Sequence, residues 1–127
     1  MVLPARGELA LVDPDRGVVA RIGVGASPWG VAVAGGRLLT VGAEALEGGS
    51  RPNLSILDLS TGRERLVELT RPHEDIAVDR AERTAYLSGG YTRGGWRGVT
   101  AVELASGRSR EIALDDAPLG VAVLPGA

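Results

Sequence analysis

The sequence contains no cysteine, no lysine and no phenylalanine among its 127 residues, and aromatic residues make up only 3% of it. The absence of cysteine excludes disulfide bonds and thiolate metal sites. No apolar run approaches the roughly 20 residues that a membrane-spanning helix requires. The net charge is −2 and the isoelectric point is near 5.4, so no general positive field would attract nucleic acid or an anionic membrane. We therefore expect neither a nucleic-acid partner nor a membrane partner.

The remaining composition is that of a folded domain. Apolar residues account for 44% of the chain and charged residues for 24%, which is too apolar for a disordered protein. A length of 127 residues suits one domain, and the 19 glycines and 7 prolines indicate many turns. Residues 1–4 do not resemble the start of a secretion signal, so we expect a cytoplasmic protein if Met1 is the natural start.

The chain repeats itself with a period of 45 residues. Acidic and glycine residues that recur at this spacing indicate turns, and apolar blocks that recur at the same spacing indicate strands. We therefore interpret the whole chain, 1–127, as one unit of three repeats, near 9–53, 54–98 and 99–127 with continuation into 1–8. The acidic series is Asp13, Asp58 and Glu103, the glycine series is Gly17, Gly62 and Gly107, and the apolar series include Val31, Ile76 and Val121, Ala32, Ala77 and Ala122, and Val33, Val78 and Val123.

Each repeat divides into four short segments that predict strands. The segments are rich in β-branched and aliphatic residues and are separated by glycine turns, and none shows the helical spacing of apolar residues. Several are apolar on both faces, which suits a sheet packed between two others. A unit of about 45 residues with four antiparallel strands is typical of a β-propeller blade. In the best-defined repeat the predicted strands are 29–33, 37–41, 54–59 and 65–69.

Residues 11–33, LVDPDRGVVARIGVGASPWGVAV, resemble the YVTN-type β-propeller repeat. Residues 58–78 and 103–123 resemble it more weakly, and the three copies together span nearly the whole chain. The resemblance implies a propeller scaffold with binding or structural roles. It implies no fixed catalytic residues.

Three blades do not close a propeller ring, which typically has 4–8 blades. Joining residues 122–127 to residues 1–8 reproduces the turn pattern of residues 77–90, so the chain amounts to three blades, one of them interrupted. An open arc would leave apolar faces and strand edges in water. We expect a twofold homodimer with six blades, in which the C-terminal inner strand, 119–124, joins the partner's N-terminal strand. The alternatives are a piece of a longer propeller, a trimeric ring of nine blades and docking on another protein.

Two long loops, residues 43–53 and 89–98, are predicted on one face of the propeller, around the mouth of its central channel. Loops on a rigid scaffold are where binding sites concentrate. The second loop combines flat aromatic surfaces with guanidinium groups that suit a carboxylate or phosphate. We interpret it as a site for a small-molecule or protein ligand; the alternative is a hairpin extension whose aromatic rings pack on the scaffold. Its candidate binding residues are Tyr91, Arg93, Trp96 and Arg97.

Three titratable residues, His73, Glu74 and Asp75, stand where the other repeats have Pro-Trp-Gly and Pro-Leu-Gly. This position opens an inner strand beside the predicted channel. His73 is a candidate ligand-binding residue, and Glu74 and Asp75 are candidate ligands for a hard divalent cation or groups for acid–base chemistry; the alternative is a solvated loop. Trp29, which opens the inner strand of another repeat, is a candidate for stacking on a ligand, against packing in the core or lining the channel.

The sequence favours a non-enzymatic binding or interaction scaffold that uses the face with the long loops and the channel mouth. No catalytic residue is predicted, because the chain has a single histidine and no G-x-S-x-G nucleophile motif. The alternative is a six-bladed metal-dependent hydrolase or lyase with a divalent ion in the central channel. Apart from that cation, no cofactor is predicted.

Overall fold

The computed structural model describes residues 8–23, 27–46, 49–89, 97–115 and 120–124, and all regular structure within them is β-strand. The expectation of an all-β chain is confirmed. The described part contains no helix that could cross a membrane. The strands are β1 (Glu8–Asp13), β2 (Gly17–Gly23), β3 (Ser27–Ala34), β4 (Arg37–Leu46), β5 (Gly49–Asp58), β6 (Glu64–Glu68), β7 (Asp75–Val78), β8 (Thr84–Ser88), β9 (Gly98–Glu103) and β10 (Ser109–Ala113).

These strands form three antiparallel sheets. The first sheet contains β1 and β2, the second contains β3 to β6, and the third contains β7 to β10, with each strand paired to the next along the chain. The two four-stranded antiparallel units predicted from the repeat are therefore confirmed. Strands β1, β5 and β9 end at Asp13, Asp58 and Glu103, so the acidic series of the repeat holds the same position in all three sheets.

The repeated acidic and glycine residues form tight turns. At the turn between β5 and β6, Oδ1 of Asp58 accepts hydrogen bonds from the backbone N–H groups of Ser60 at 2.8 Å and Thr61 at 3.2 Å. A hydrogen bond from the Ser60 hydroxyl, together with these two, lowers the pKa of Asp58. Gly62 follows with a φ of 74°, a left-handed conformation that glycine adopts without strain. The acidic residue and the glycine that recur in each repeat therefore serve to form a turn.

The hydrophobic core lies between the second and third sheets. Burying each of its leucine side chains contributes about 1.5–3 kcal/mol. The strands β3 and β7, the first of each four-stranded sheet and an edge of it, are the ones we call the inner strands. They contact each other, and Gly30 packs so closely on the backbone carbonyl of Glu74 that a Cβ atom at Gly30 would overlap the oxygen. The core residues are Leu39, Val41, Leu54, Ile56, Val67 and Leu69 from the second sheet and its end, and Ala85, Leu87, Val102 and Leu104 from the third.

The middle strands of the second sheet are buried on their other face as well. Side chains alternate between the two faces of a strand, so the residues between the core positions of β4 and β5 point away from the third sheet. Four of these residues are at most 3% exposed, although three of the four are polar, so this second face is buried without being apolar throughout. The four are Leu38, Thr40, Asn53 and Ser55.

One expectation about local structure is wrong. Residues 43–46 and 49–53, which we expect to lie in a loop, are strand, because β4 and β5 continue to pair as far as Leu46 and Gly49; the two segments satisfy each other's backbone hydrogen bonds. Residues 120–124 are not paired as a strand among the described residues; the inner strand expected there pairs with a second copy and stays a prediction. They run beside β7 and have no ladder partner among the described residues.

Candidate functional site

The β4–β5, β6–β7 and β8–β9 connections lie at the same end of the two four-stranded sheets, and we call this end the loop face. Strands that alternate in direction place every second connection at the same end. The β4–β5 hairpin extends on this face past Ala43, the last residue of β4 that pairs with β3, and begins its return before Asn53, the first residue of β5 that pairs with β6. The hairpin therefore stands out from the sheet.

The second predicted loop lies only partly within the described residues. Tyr91, Arg93 and Trp96 fall outside them. Arg97 is described and exposed, and its backbone carbonyl accepts a hydrogen bond of 2.8 Å from the N–H of Leu114, which ties the start of β9 to the end of β10. The Arg97 side chain lines a cavity of about 270 Å³ on the loop face, and the other lining residues are Arg71, Glu111 and Ala113.

This Arg71–Arg97 cavity contains one carboxylate between two guanidinium groups. The Thr70 hydroxyl donates to Oε1 of Glu111 at 2.6 Å, and Nε of Arg71 lies 3.5 Å from the same oxygen. The Thr70 hydrogen bond, and after it the charge of Arg71, lower the pKa of Glu111, so this carboxylate is ionised at neutral pH. Among the described residues no carboxylate forms an ion pair with Arg97. Its guanidinium is therefore available for two parallel hydrogen bonds to a carboxylate or phosphate.

His73, a predicted ligand-binding residue, is buried. Its side chain is only 1% exposed, and its Nε2 atom lies 2.7 Å from Oγ1 of Thr100 on β9. Burial lowers the pKa of the imidazole below its ordinary 6.5, so the ring is neutral at pH 7. In this position His73 joins the β6–β7 connection to the third sheet, and its buried ring is not exposed to a ligand in solvent.

Glu74 and Asp75, the predicted cation ligands, form separate contacts. The backbone N–H of Glu74 donates to the carbonyl of Ser88 at 2.8 Å, and Oδ2 of Asp75 accepts from the backbone N–H of Val121 at 3.1 Å. In the described part of the chain no group of three or more His, Asp and Glu side chains could hold a metal ion. The cation site therefore stays a prediction that no donor cluster among these residues supports.

Trp29 lies on the surface rather than in the core. A register shift between Pro28 and Gly30 leaves it outside the β3–β4 ladder, and 50% of the residue is exposed. Val31 and Val33 follow on the same strand and are 53% and 65% exposed. We call these three residues the β3 row. They make a contiguous apolar surface at the inner edge of the second sheet.

Sequence reasoning missed the partners that shape these sites. Thr70 and Arg71 lie in the β6–β7 connection, whereas Glu111 lies on β10, about forty residues further along the chain. Only the stacking of the second sheet on the third brings them together. The proximity of Arg71 to the titratable group at 73–75 was the one available signal in the sequence.

Comparisons with known proteins give a likeness of fold and nothing more specific. No protein-family model and no curated protein sequence matches the chain. A solved structure of Kuenenia stuttgartiensis hydrazine synthase is similar over 77% of this chain, with a TM-score of 0.58 and 19% sequence identity. The match covers 26% of the hydrazine synthase chain. At this identity the likeness concerns the fold alone, and the resemblance to the YVTN-type repeat stays a prediction.

Proposed function

We propose that this chain is an arc of β-propeller blades that serves as a non-enzymatic binding scaffold, with the loop face as its binding surface. The 45-residue period, the two four-stranded sheets with strands in chain order, and the packing of one sheet on the next all support a propeller. The resemblance to the YVTN-type repeat is consistent with this proposal.

The Arg71–Arg97 cavity is the observation that carries the binding role. Its volume of about 270 Å³ suits the end of a side chain or a small acid, and Glu111 offsets only one of its two guanidinium groups. A ligand with a carboxylate would pair with Arg97 and displace little of the existing hydrogen bonding, because Thr70 holds Glu111 in place. The proposed ligand is therefore a small molecule or protein segment that presents a carboxylate.

The test is an NMR titration of the full chain with a hexaglutamate peptide, and with succinate as a small dicarboxylate. We expect the Nε–H signals of Arg97 and Arg71 to shift with saturation, and Arg97→Gln to abolish the shift. Arg108→Gln is the matched control, because Arg108 is an exposed arginine at the opposite end of the third sheet. If neither probe moves these signals, or if both variants bind equally well, the cavity is not the binding site.

The alternative of a metal-dependent hydrolase or lyase has no comparable support. His73 is buried against Thr100, and Asp75 accepts a hydrogen bond from Val121. We therefore do not advance an enzymatic function.

A further inference from the structure

The β3 row is an exposed apolar surface, whereas the equivalent residues of the next repeat are covered. Val31 and Val33 of β3 correspond to Ile76 and Val78 of β7 at the 45-residue spacing. Ile76 and Val78 pack against the core, on the side where β7 meets β3. Val31 and Val33 point the same way from their own strand but meet no inner strand among the described residues, and more than half of each is exposed.

Residues 120–124 have an exposed side that is equivalent to the side of β3 that meets β7. The backbone N–H of Val121 donates to Asp75 on β7, and Val121 and Val123 are half-buried. The alternate residues Gly120, Ala122 and Leu124 are exposed, Leu124 to 78%. The side of this segment that carries the two valines is therefore partly buried, and its other side is exposed.

The exposed side of residues 120–124 suits the exposed β3 row, because the chain already forms the equivalent contact between β3 and β7. On β3, the side that meets β7 consists of Gly30, Ala32 and Ala34, and the small residue Gly30 lets the two backbones come close. Gly120 and Ala122 stand 90 residues after Gly30 and Ala32 and present the same small-residue surface. Among the described residues, no inner strand follows residues 120–124 and none precedes the β3 row.

We infer that a second copy of this chain supplies both. Residues 120–124 of one copy lie against the β3 row of the other, reciprocally, in a twofold dimer. The occupant is a second copy rather than an unrelated protein because the bare segment repeats the small-residue side that covers β7 within the chain. The first sheet supports the same inference, since it has two described strands where the others have four. Residues 120–124 of the second copy would add an inner strand to it.

The test is the solution mass of the full chain, measured by light scattering and sedimentation from low to high micromolar concentration. We expect twice the chain mass of 13.1 kDa. Val31→Glu should weaken the dimer about 100-fold or more, because a carboxylate would be buried without a partner. Ala122→Glu should do the same from the other side of the contact. Leu66→Glu is the control, since Leu66 is an exposed leucine on β6, the strand of the second sheet farthest from β3.

Mixing the two disruptive variants separates this contact from every other mode of association. A mixed dimer of Val31→Glu with Ala122→Glu has both substitutions in one contact and none in the second. We therefore expect mixed dimers at concentrations where each variant alone does not dimerise, even if the lone variants unfold. Three outcomes overturn the inference: a wild-type chain that stays at 13.1 kDa, a mass of three copies, or variants that remain dimeric. Because the readout is mass and not ligand binding, it fails independently of the proposed function.

Discussion

Replacing Gly30 with alanine tests the contact between the inner strands from which the stacking of the sheets follows. A Cβ atom at this position would overlap the carbonyl oxygen of Glu74 and lie 3.1 Å from Cγ1 of Val41. The oxygen belongs to the backbone, and the N–H of the same residue is hydrogen-bonded to the carbonyl of Ser88 at 2.8 Å. The Glu74 peptide is therefore poorly able to move aside.

The magnitude follows from the separation that the added methyl group requires. Strands β3 and β7 would have to move apart by on the order of 1 Å, a gap that forfeits up to half of the dispersion energy at the contact. Overpacking of a well-packed interior costs about 1–3 kcal/mol. We expect Gly30→Ala to lower the free energy of unfolding by about 3 kcal/mol, because the atom that the new Cβ meets belongs to the backbone. For a domain of this size that corresponds to a fall in melting temperature of roughly 10 °C.

Thermal and urea unfolding followed by circular dichroism measure this loss. Gly89→Ala is the matched control, because its Cβ would meet only the carbonyl oxygen of Pro72, at an ordinary 3.6 Å. We expect the control to melt within a degree or two of the wild type. If Gly30→Ala is as stable as the control, the two inner strands are not in contact and the stacked arrangement is refuted.

Three further changes probe other parts of the structure. Leu87→Ala, at a fully buried core position, should cost about 2–5 kcal/mol in urea unfolding, and a loss below that range would place Leu87 outside the core. Stability should fall as the pH drops below 6.5, because burial lowers the pKa of folded His73 and the unfolded chain binds the proton more readily; melting curves from pH 8 to pH 5 should show this dependence, and His73→Gln should remove that component of it. Gly62→Ala places a side chain at a φ of 74° and should cost about 1 kcal/mol, whereas Gly62→Asn should cost less, and equal melting temperatures for the two would contradict a left-handed turn.

Much of the fold was predictable because it depends on turn and strand residues that recur in each repeat. Asp58 and Gly62 indicate a turn by residue type alone, and the predicted strands 37–41 and 54–59 overlap β4 and β5. The extension of the β4–β5 hairpin was not predictable from the same rules. Residues 43–53 are rich in glycine and charge, as a loop would be, and only mutual pairing makes residues 43–46 and 49–53 strand.

The candidate site was less accessible to sequence reasoning than the fold. Glu111 is an unremarkable member of an exposed strand until β10 is set beside the β6–β7 connection, where Thr70 and Arg71 contact it. His73 shows the opposite error. A lone histidine in a polar triplet suggested a surface site, but its neighbours in space are set by the stacking of the sheets, and the imidazole is buried against Thr100.

One column of the repeat shows why the exposure of the β3 row points to a missing neighbour rather than to a tolerated surface. Val31, Ile76 and Val121 occupy equivalent positions in the sequence, yet Ile76 packs on the core, Val121 is half-buried and Val31 is 53% exposed. Each of these side chains faces the inner strand that precedes its own, so its burial depends on whether that strand is there. An arbitrary apolar partner would not serve, because the contact between β3 and β7 depends on a glycine that lets two backbones approach. Residues 120–124 retain that glycine, and a bulkier strand would be held away from Val31 by its own side chains.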